Sequence, residues 1–347
     1  MQNDVAVQNK SCELLNVVRL VLSFVAVLIT TSGLSPYMYP WVRVAIPLFF
    51  IIYSYSFFKK VNARRRRSSK RQELSFFVWR NVKLYFFWFL VLSPIILIEK
   101  KSYFLSQGIT GMINLVLNFF IGSTFTSSWF FSALIIATVI VFFVSRKTNN
   151  LALVIIFGVI YALISLRSAY LPFFSDFKVG LKIMEYYEMI LNSPIQSFPA
   201  GLFWIAIGKV FADGFRINMK PSIIIASSSL VLLFIEWFFI ARVTSPSLNN
   251  ANYYFMLAPL CISLFNIILH FDNLTFKYSL QMRKMSVIIF ASHGSILFCV
   301  NVLLGLISLS LPSIVIFIIV AALSFGVSIL VLFLERFNAL KWLSYAY

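Results

Sequence analysis

Apolar residues run along this chain in long blocks separated by short polar connections. Ten blocks approach 20 residues, enough for a helix rising 1.5 Å per residue to cross a hydrocarbon layer of about 30 Å. They lie near 14–32, 42–58, 76–98, 128–145, 150–167, 197–213, 221–242, 252–270, 286–307 and 311–334. Pro221 and Pro312 mark helix starts, and Asn149 with Asn150 divides two blocks. The stretch 108–122 carries Asn114, Asn118 and glycines, which predicts a re-entrant or interfacial helix rather than a crossing. The pattern predicts an all-α, polytopic membrane protein of about ten transmembrane helices in a single membrane domain, 1–347.

Composition leaves no other solvent than lipid. Of 347 residues, 61% are hydrophobic and 12% charged, against roughly 25% charged in a soluble domain. With a mean hydropathy of +0.91, a polar surface could not cover so large a core, so a water-soluble fold is excluded. The formal charge of +18 follows from topology. With the N-terminus inside, 18 of the 29 Lys and Arg fall in cytoplasmic loops and 6 in outer ones, as expected where basic residues collect on the cytoplasmic side. Both termini are then cytoplasmic, and no nucleic-acid partner is needed. Cys12, Cys261 and Cys299 lack metal-ligand or disulfide spacing and read as packing residues. Asp4 and Glu13 precede the first block and no small-residue cleavage pattern follows it, so it is expected to remain as the first helix. No repeat appears at a fixed period. The longest outer connection, 168–196, has helical apolar spacing and is expected to lie flat on the outer surface as a lid.

Particular residues add a family likeness. Arg19 on the first helix, Pro47, Phe49, Phe50, Ser54 and Tyr55 on the second, Arg80-x-x-Lys83 followed by Tyr85 and Trp88 on the third, SSWFFSALI at 127–135 and SVIIFASH at 286–293 occur in order. In these the chain resembles the acyltransferase-3 family of integral membrane O-acyltransferases over about 14–335. The resemblance implies ten helices, the bacterial inner membrane, acyl-CoA as co-substrate with no bound cofactor, and a carbohydrate or glycolipid acceptor. It also implies that Arg19 orients or balances charge and that Arg80 and Lys83 hold CoA phosphates. Two positions depart from the family. Its catalytic His, ten residues after the Arg, is Thr30 here, and its acidic residue three before the Arg is Asn16. A threonine hydroxyl cannot accept a proton near neutral pH as imidazole does, so another base is required.

Depth selects candidates for that base. Thr30 stands about 24 Å up its helix and Glu236 about 22 Å up its own, so the two are expected to meet. His293, about 10 Å above the start of a helix beginning at 286, is expected to lie too low unless a funnel reaches it. Glu236 is read either as the base or as an ion-pair partner of Arg242; His293 as a working residue or a hydrogen-bonded core histidine; His270 as interfacial. The basic cytoplasmic loop at 59–74, with Arg64, Arg65, Arg66 and Arg67, attracts anionic lipid or docks the phosphates of acyl-CoA. Tyr37, Tyr39, Trp41, Tyr253 and Tyr254 read as an interfacial aromatic belt, or as stacking surfaces for sugar rings. The resulting expectation is transfer of an acyl group, most simply acetyl, from acyl-CoA to a hydroxyl of a surface or exported carbohydrate. The rival is a catalytically degenerate relative acting as a permease, glycan exporter or assembly partner; a glycan polymerase ranks last, since the outer segment has neither His nor clustered Arg.

Overall fold

A computed structural model describes residues 13–31, 39–99, 101–170, 194–244, 253–271 and 273–347, with single positions at 173, 182, 185 and 186. Helices account for the described residues: α1 Glu13–Thr30, α2 Ala45–Ala63, α3 Arg67–Glu99, α4 Lys101–Phe120, α5 Ser128–Val144, α6 Asn150–Ser168, α7 Phe198–Ala212, α8 Met219–Thr244, α9 Leu257–His270, α10 Ser279–Leu306 and α11 Ser313–Leu334, with one short turn at Tyr39–Val42. Seven are long and apolar enough to cross a membrane, and α5, α7 and α9 are shorter apolar helices. Together these ten helices coincide with the ten apolar blocks of the sequence, seven of them at spanning length. The predicted lid at 168–196 and Cys12 and Tyr37 fall largely or wholly outside the described residues.

α4 is the eleventh helix. It stands between α3 and α5 in chain order and is not counted among the spanning helices. Gly108, with φ +51, breaks α4 near its start, and the far end packs Phe119 against Tyr85 and Phe89 of α3.

The basic stretch at 59–74 is not an open loop. α2 runs through Ala63 and α3 starts at Arg67, leaving a three-residue connection pinned by Arg64 to Glu73 at 2.7 Å. α3, with 33 residues, is about 50 Å long, so its first turns stand in the cytoplasm and carry the arginines with them. Helix propensity prevails there because water solvates the charges and no apolar pattern is needed.

The centre of the bundle is the α2–α7 pair. Phe50, Ile51 and Ile52 on α2 and Ile205 and Ala206 on α7 are fully buried, and Ser54 Oγ donates to the Ile205 carbonyl at 2.6 Å. Small residues allow the approach, as in lipid-embedded helix pairs generally. A Cβ on Gly208 would sit 2.6 Å from the Ile51 carbonyl and 2.8 Å from Ser54, and one on Gly201 3.0 Å from the Phe50 ring. At the cytoplasmic end Asp213 ties three helices together, accepting from Asn62 at 3.0 Å, Asn150 at 2.9 Å and Lys209 at 2.6 Å. Partial burial opposes its ionisation, but these three donors outweigh it and hold the carboxyl below the ordinary carboxylate range.

Gly208→Val should therefore separate α2 from α7 and lower stability by roughly 1–3 kcal/mol, the usual cost of overpacking. The check is thermal unfolding in detergent, where Gly305→Val, a site open to space, should leave the midpoint unchanged.

Candidate functional site

Two polar regions are stacked inside the apolar bundle, separated by aromatic rings. The cytoplasmic one centres on Arg19. Its Nη1 donates to Asn16 Oδ1 at 3.4 Å and its Nη2 to Ser56 Oγ at 2.9 Å and the Ile52 carbonyl at 3.4 Å, and the guanidinium lies 4.6 Å over the Tyr53 ring. The amide at Asn16 thus still serves the arginine although it brings no charge. Arg80, thirteen residues into α3 and about 20 Å from its start, comes within electrostatic reach of Tyr53 and Arg283. Arg80 and Lys83 are solvent-accessible in the isolated bundle. The C-terminal 3-10 segment, Asn338–Ala346, folds back beside them: Trp88 Nε1 donates to the Ala346 carbonyl at 3.0 Å, Lys83 Nζ lies 5.8 Å from the Tyr345 ring, and Lys284 donates to Tyr347 at 2.6 Å. Arg64 is engaged with Glu73, and Arg65 and Arg66 are exposed.

Phe49, Phe130 and Phe290 pack together in the core, their ring centroids 5.0–5.9 Å apart. Tyr53 joins them at 6.0 Å from Phe130. Beyond these rings is a cavity of about 780 Å³, lined by groups that include Thr30, Arg43, Glu99, Ser127, Trp129 and Tyr253. These come from the outer ends of their helices, so the cavity belongs to the outer half.

At its inner edge stands His293. The depth expected from sequence is corrected here: α10 starts at Ser279 and not near 286, so His293 is 14 residues up, about 21 Å, and level with Thr30. Arg283 and Lys284 lie in those two added turns and hid them from an apolar reading. His293 Nε2 is 3.0 Å from Thr30 Oγ1 and 3.5 Å from Ser127 Oγ. Its Nδ1 faces the carbonyls of Phe290 at 2.9 Å and Ile289 at 3.2 Å. A carbonyl only accepts, so Nδ1 carries the proton of the neutral ring and Nε2 presents its lone pair to the two hydroxyls. The imidazole itself is fully buried; the hydroxyls are what the cavity meets.

Two features bring Ser127 there. It occupies the left-handed region, φ +70 and ψ −3, immediately before α5, an unfavourable backbone for a residue with a Cβ and one that gathers at functional sites. Ser128 Oγ holds the preceding turn, accepting from the amides of Thr124 at 2.8 Å and Phe125 at 3.2 Å. Across from it, Gly294 leaves the space that Thr126 fills; a Cβ there would collide with the Thr126 side chain. Ser127 opens the motif at 127–135 and Gly294 follows the one at 286–293, but neither was singled out for a role of its own.

Glu236 does not join this group. Its carboxylate accepts the amides of Phe255 at 2.7 Å and Met256 at 3.0 Å, capping α9, where anionic groups are favoured by unpaired amides and the helix dipole. Arg242 instead lies 4.3 Å over Phe238. Tyr253 and Tyr254 are buried rather than interfacial, with Tyr253 donating to the Ile195 carbonyl at 3.0 Å and the Tyr254 carbonyl accepting from Tyr161 at 2.7 Å. His270 is exposed at the end of α9, bonded through Nδ1 to the Asn266 carbonyl at 2.8 Å.

A sequence model of the acyltransferase-3 family, described as an acyltransferase domain, matches residues 16–333. The chain belongs to this family. No curated protein and no solved structure matches it.

Two substitutions separate the site from its frame. Gly294→Ala should push Thr126 and Ser127 away from His293 and cut acyl transfer at least tenfold, since misplacement by about 1 Å can cost 100-fold. Glu236→Gln keeps the cap geometry but weakens it, and should cost on the order of 1 kcal/mol in unfolding measurements while leaving transfer within a fewfold of wild type.

Proposed function

We propose that the protein moves an acyl group, most simply acetyl, from cytoplasmic acyl-CoA to a hydroxyl of a surface or exported carbohydrate held in the outer cavity, in a bacterial inner membrane. The observation that carries this reading is the 3.0 Å contact between His293 Nε2 and Thr30 Oγ1. The imidazole that the family places on its first helix is absent, and another imidazole arrives at the same spot from α10.

The chemistry follows from the arrangement. Attack of a hydroxyl on a thioester releases a proton, and Nε2 offers a lone pair at that depth while the Phe290 carbonyl fixes the ring through Nδ1. Ser127 precedes α5, so the positive end of that helix faces the place where a carbonyl oxygen gains charge. Arg80 and Lys83 suit the phosphates of CoA, because guanidinium binds phosphate oxygens in pairs and ammonium adds a mobile charge. Arg19 lies eleven residues below Thr30, about 16 Å, and the thioester arm has to cover that span past Phe49, Phe130 and Phe290. Trp129 and Tyr253 offer the cavity flat surfaces for sugar rings. Arg64 to Arg67 draw the anionic donor or anionic lipid to the membrane face.

Two variants test the reading in one assay. His293→Ala should reduce transfer from acyl-CoA by 100-fold or more, the range expected for losing a general base, with acyl-CoA binding retained. Arg80→Ala with Lys83→Ala should weaken binding, measured by calorimetry, by at least tenfold. Full transfer by His293→Ala would refute the role of the imidazole, and absence of acyl-CoA binding to folded wild type would favour the exporter or assembly reading.

A further inference from the structure

The base of this site touches no substrate. His293 is fully buried, and its open nitrogen meets the cavity only across the hydroxyls of Thr30 and Ser127. The nearer of these is at normal hydrogen-bond length, it lines the cavity, and the ring behind it is oriented by a main-chain carbonyl. A hydroxyl within reach of a base that is itself held by a third group is the arrangement of an activated nucleophile. We propose that Thr30 is acylated during the reaction, so that transfer proceeds by double displacement through a Thr30 ester. This rests on the reading of the protein as an acyl-CoA-dependent acyltransferase.

Both half-reactions balance at the groups present. In the first, Thr30 Oγ1 attacks the thioester carbonyl carbon as its proton passes to His293 Nε2. The C–S bond breaks, and the CoA sulfur leaves with that proton, restoring the neutral ring. In the second, the acceptor hydroxyl attacks the ester carbonyl. Its proton reaches Nε2 by way of Ser127 Oγ, the C–O bond to Thr30 breaks, and Thr30 recovers the proton. Thr30 Oγ1 also lies 2.9 Å from the Ala26 carbonyl, so its single proton has two possible acceptors. The neutral ring needs that proton on the Nε2 line, because lone pairs would otherwise face each other at 3.0 Å.

The aromatic barrier gives the covalent step its use. Donor and acceptor approach from opposite sides of Phe49, Phe130 and Phe290, and an acyl group parked on Thr30 lets CoA leave before the acceptor binds. Donor and acceptor need not occupy the bundle together.

The test is to incubate the full-length protein in detergent with acetyl-, propionyl- or succinyl-CoA labelled in the acyl group, without acceptor, quench in acid and map the modified peptide by mass spectrometry. The expected result is one ester per chain on Thr30, absent in Thr30→Val and present in Thr30→Ser, which keeps the hydroxyl. Ser127→Ala should accumulate the ester and slow its transfer. Wild type that releases CoA without forming an ester, or that carries the ester on another residue, overturns the proposal while leaving the acyltransferase reading in place. Wild type that neither binds nor consumes any of the three donors overturns both. A thermal unfolding midpoint of Thr30→Val equal to wild type excludes a folding defect as the reason for its silence.

Discussion

Hydrocarbon offers no hydrogen-bond partner, so each polar group carried into this bundle has to be met by another part of the chain. That constraint shapes the main polar groups of the interior, although the buried Thr138 Oγ1, Trp204 Nε1 and Ser292 Oγ have no hydrogen-bond partner among the described residues. Arg19 is met by Asn16, Ser56 and the Ile52 carbonyl; Ser54 by Ile205; Glu236 by the amides that open α9; His293 by Thr30 and its own helix. What the lipid leaves open, the protein closes by drawing polar side chains into a few small groups, and those groups are where chemistry becomes affordable.

Their separation is as informative as their contents. Cationic residues gather around Tyr53 on the cytoplasmic side, hydroxyls and an imidazole gather at the outer cavity, and phenylalanine rings lie between. A water-filled passage through the same bundle would leak ions, whereas packed rings keep the two polar groups apart. The close approach of α2 and α7, set by Gly201 and Gly208, keeps the centre compact enough for Phe50 to reach Phe130 at 4.5 Å between centroids. Packing therefore bears on function through the barrier as well as through stability.

Much of this was legible in the sequence and some was not, for reasons that differ. The apolar helices could be read because apolar blocks of that length have few other uses, and α4 could be recognised as exceptional from Asn114 and Asn118. Helix starts were poorly legible wherever charges begin them: the arginines at the head of α3 and Arg283 and Lys284 in α10 look like loop and are helix. That error moved His293 two turns too low and left Glu236 beside it as a second candidate base. The capping role of Glu236 depends on amides twenty residues away in sequence, which no local pattern announces. The left-handed backbone at Ser127 and the fit of Thr126 against Gly294 are tertiary facts. The family motif did point to position 30, and the exchange of His for Thr there becomes intelligible only once α10 is seen to supply the ring.

The central claim is that an imidazole entering from α10 does the work at position 30. Chemical rescue tests it most directly: acyl transfer by His293→Gly, measured with and without added imidazole. Recovery of activity that depends on imidazole concentration, and that is not reproduced by buffers of similar pKa too bulky for the vacated space, is the predicted result. Activity in His293→Gly equal to wild type without any addition would contradict the account.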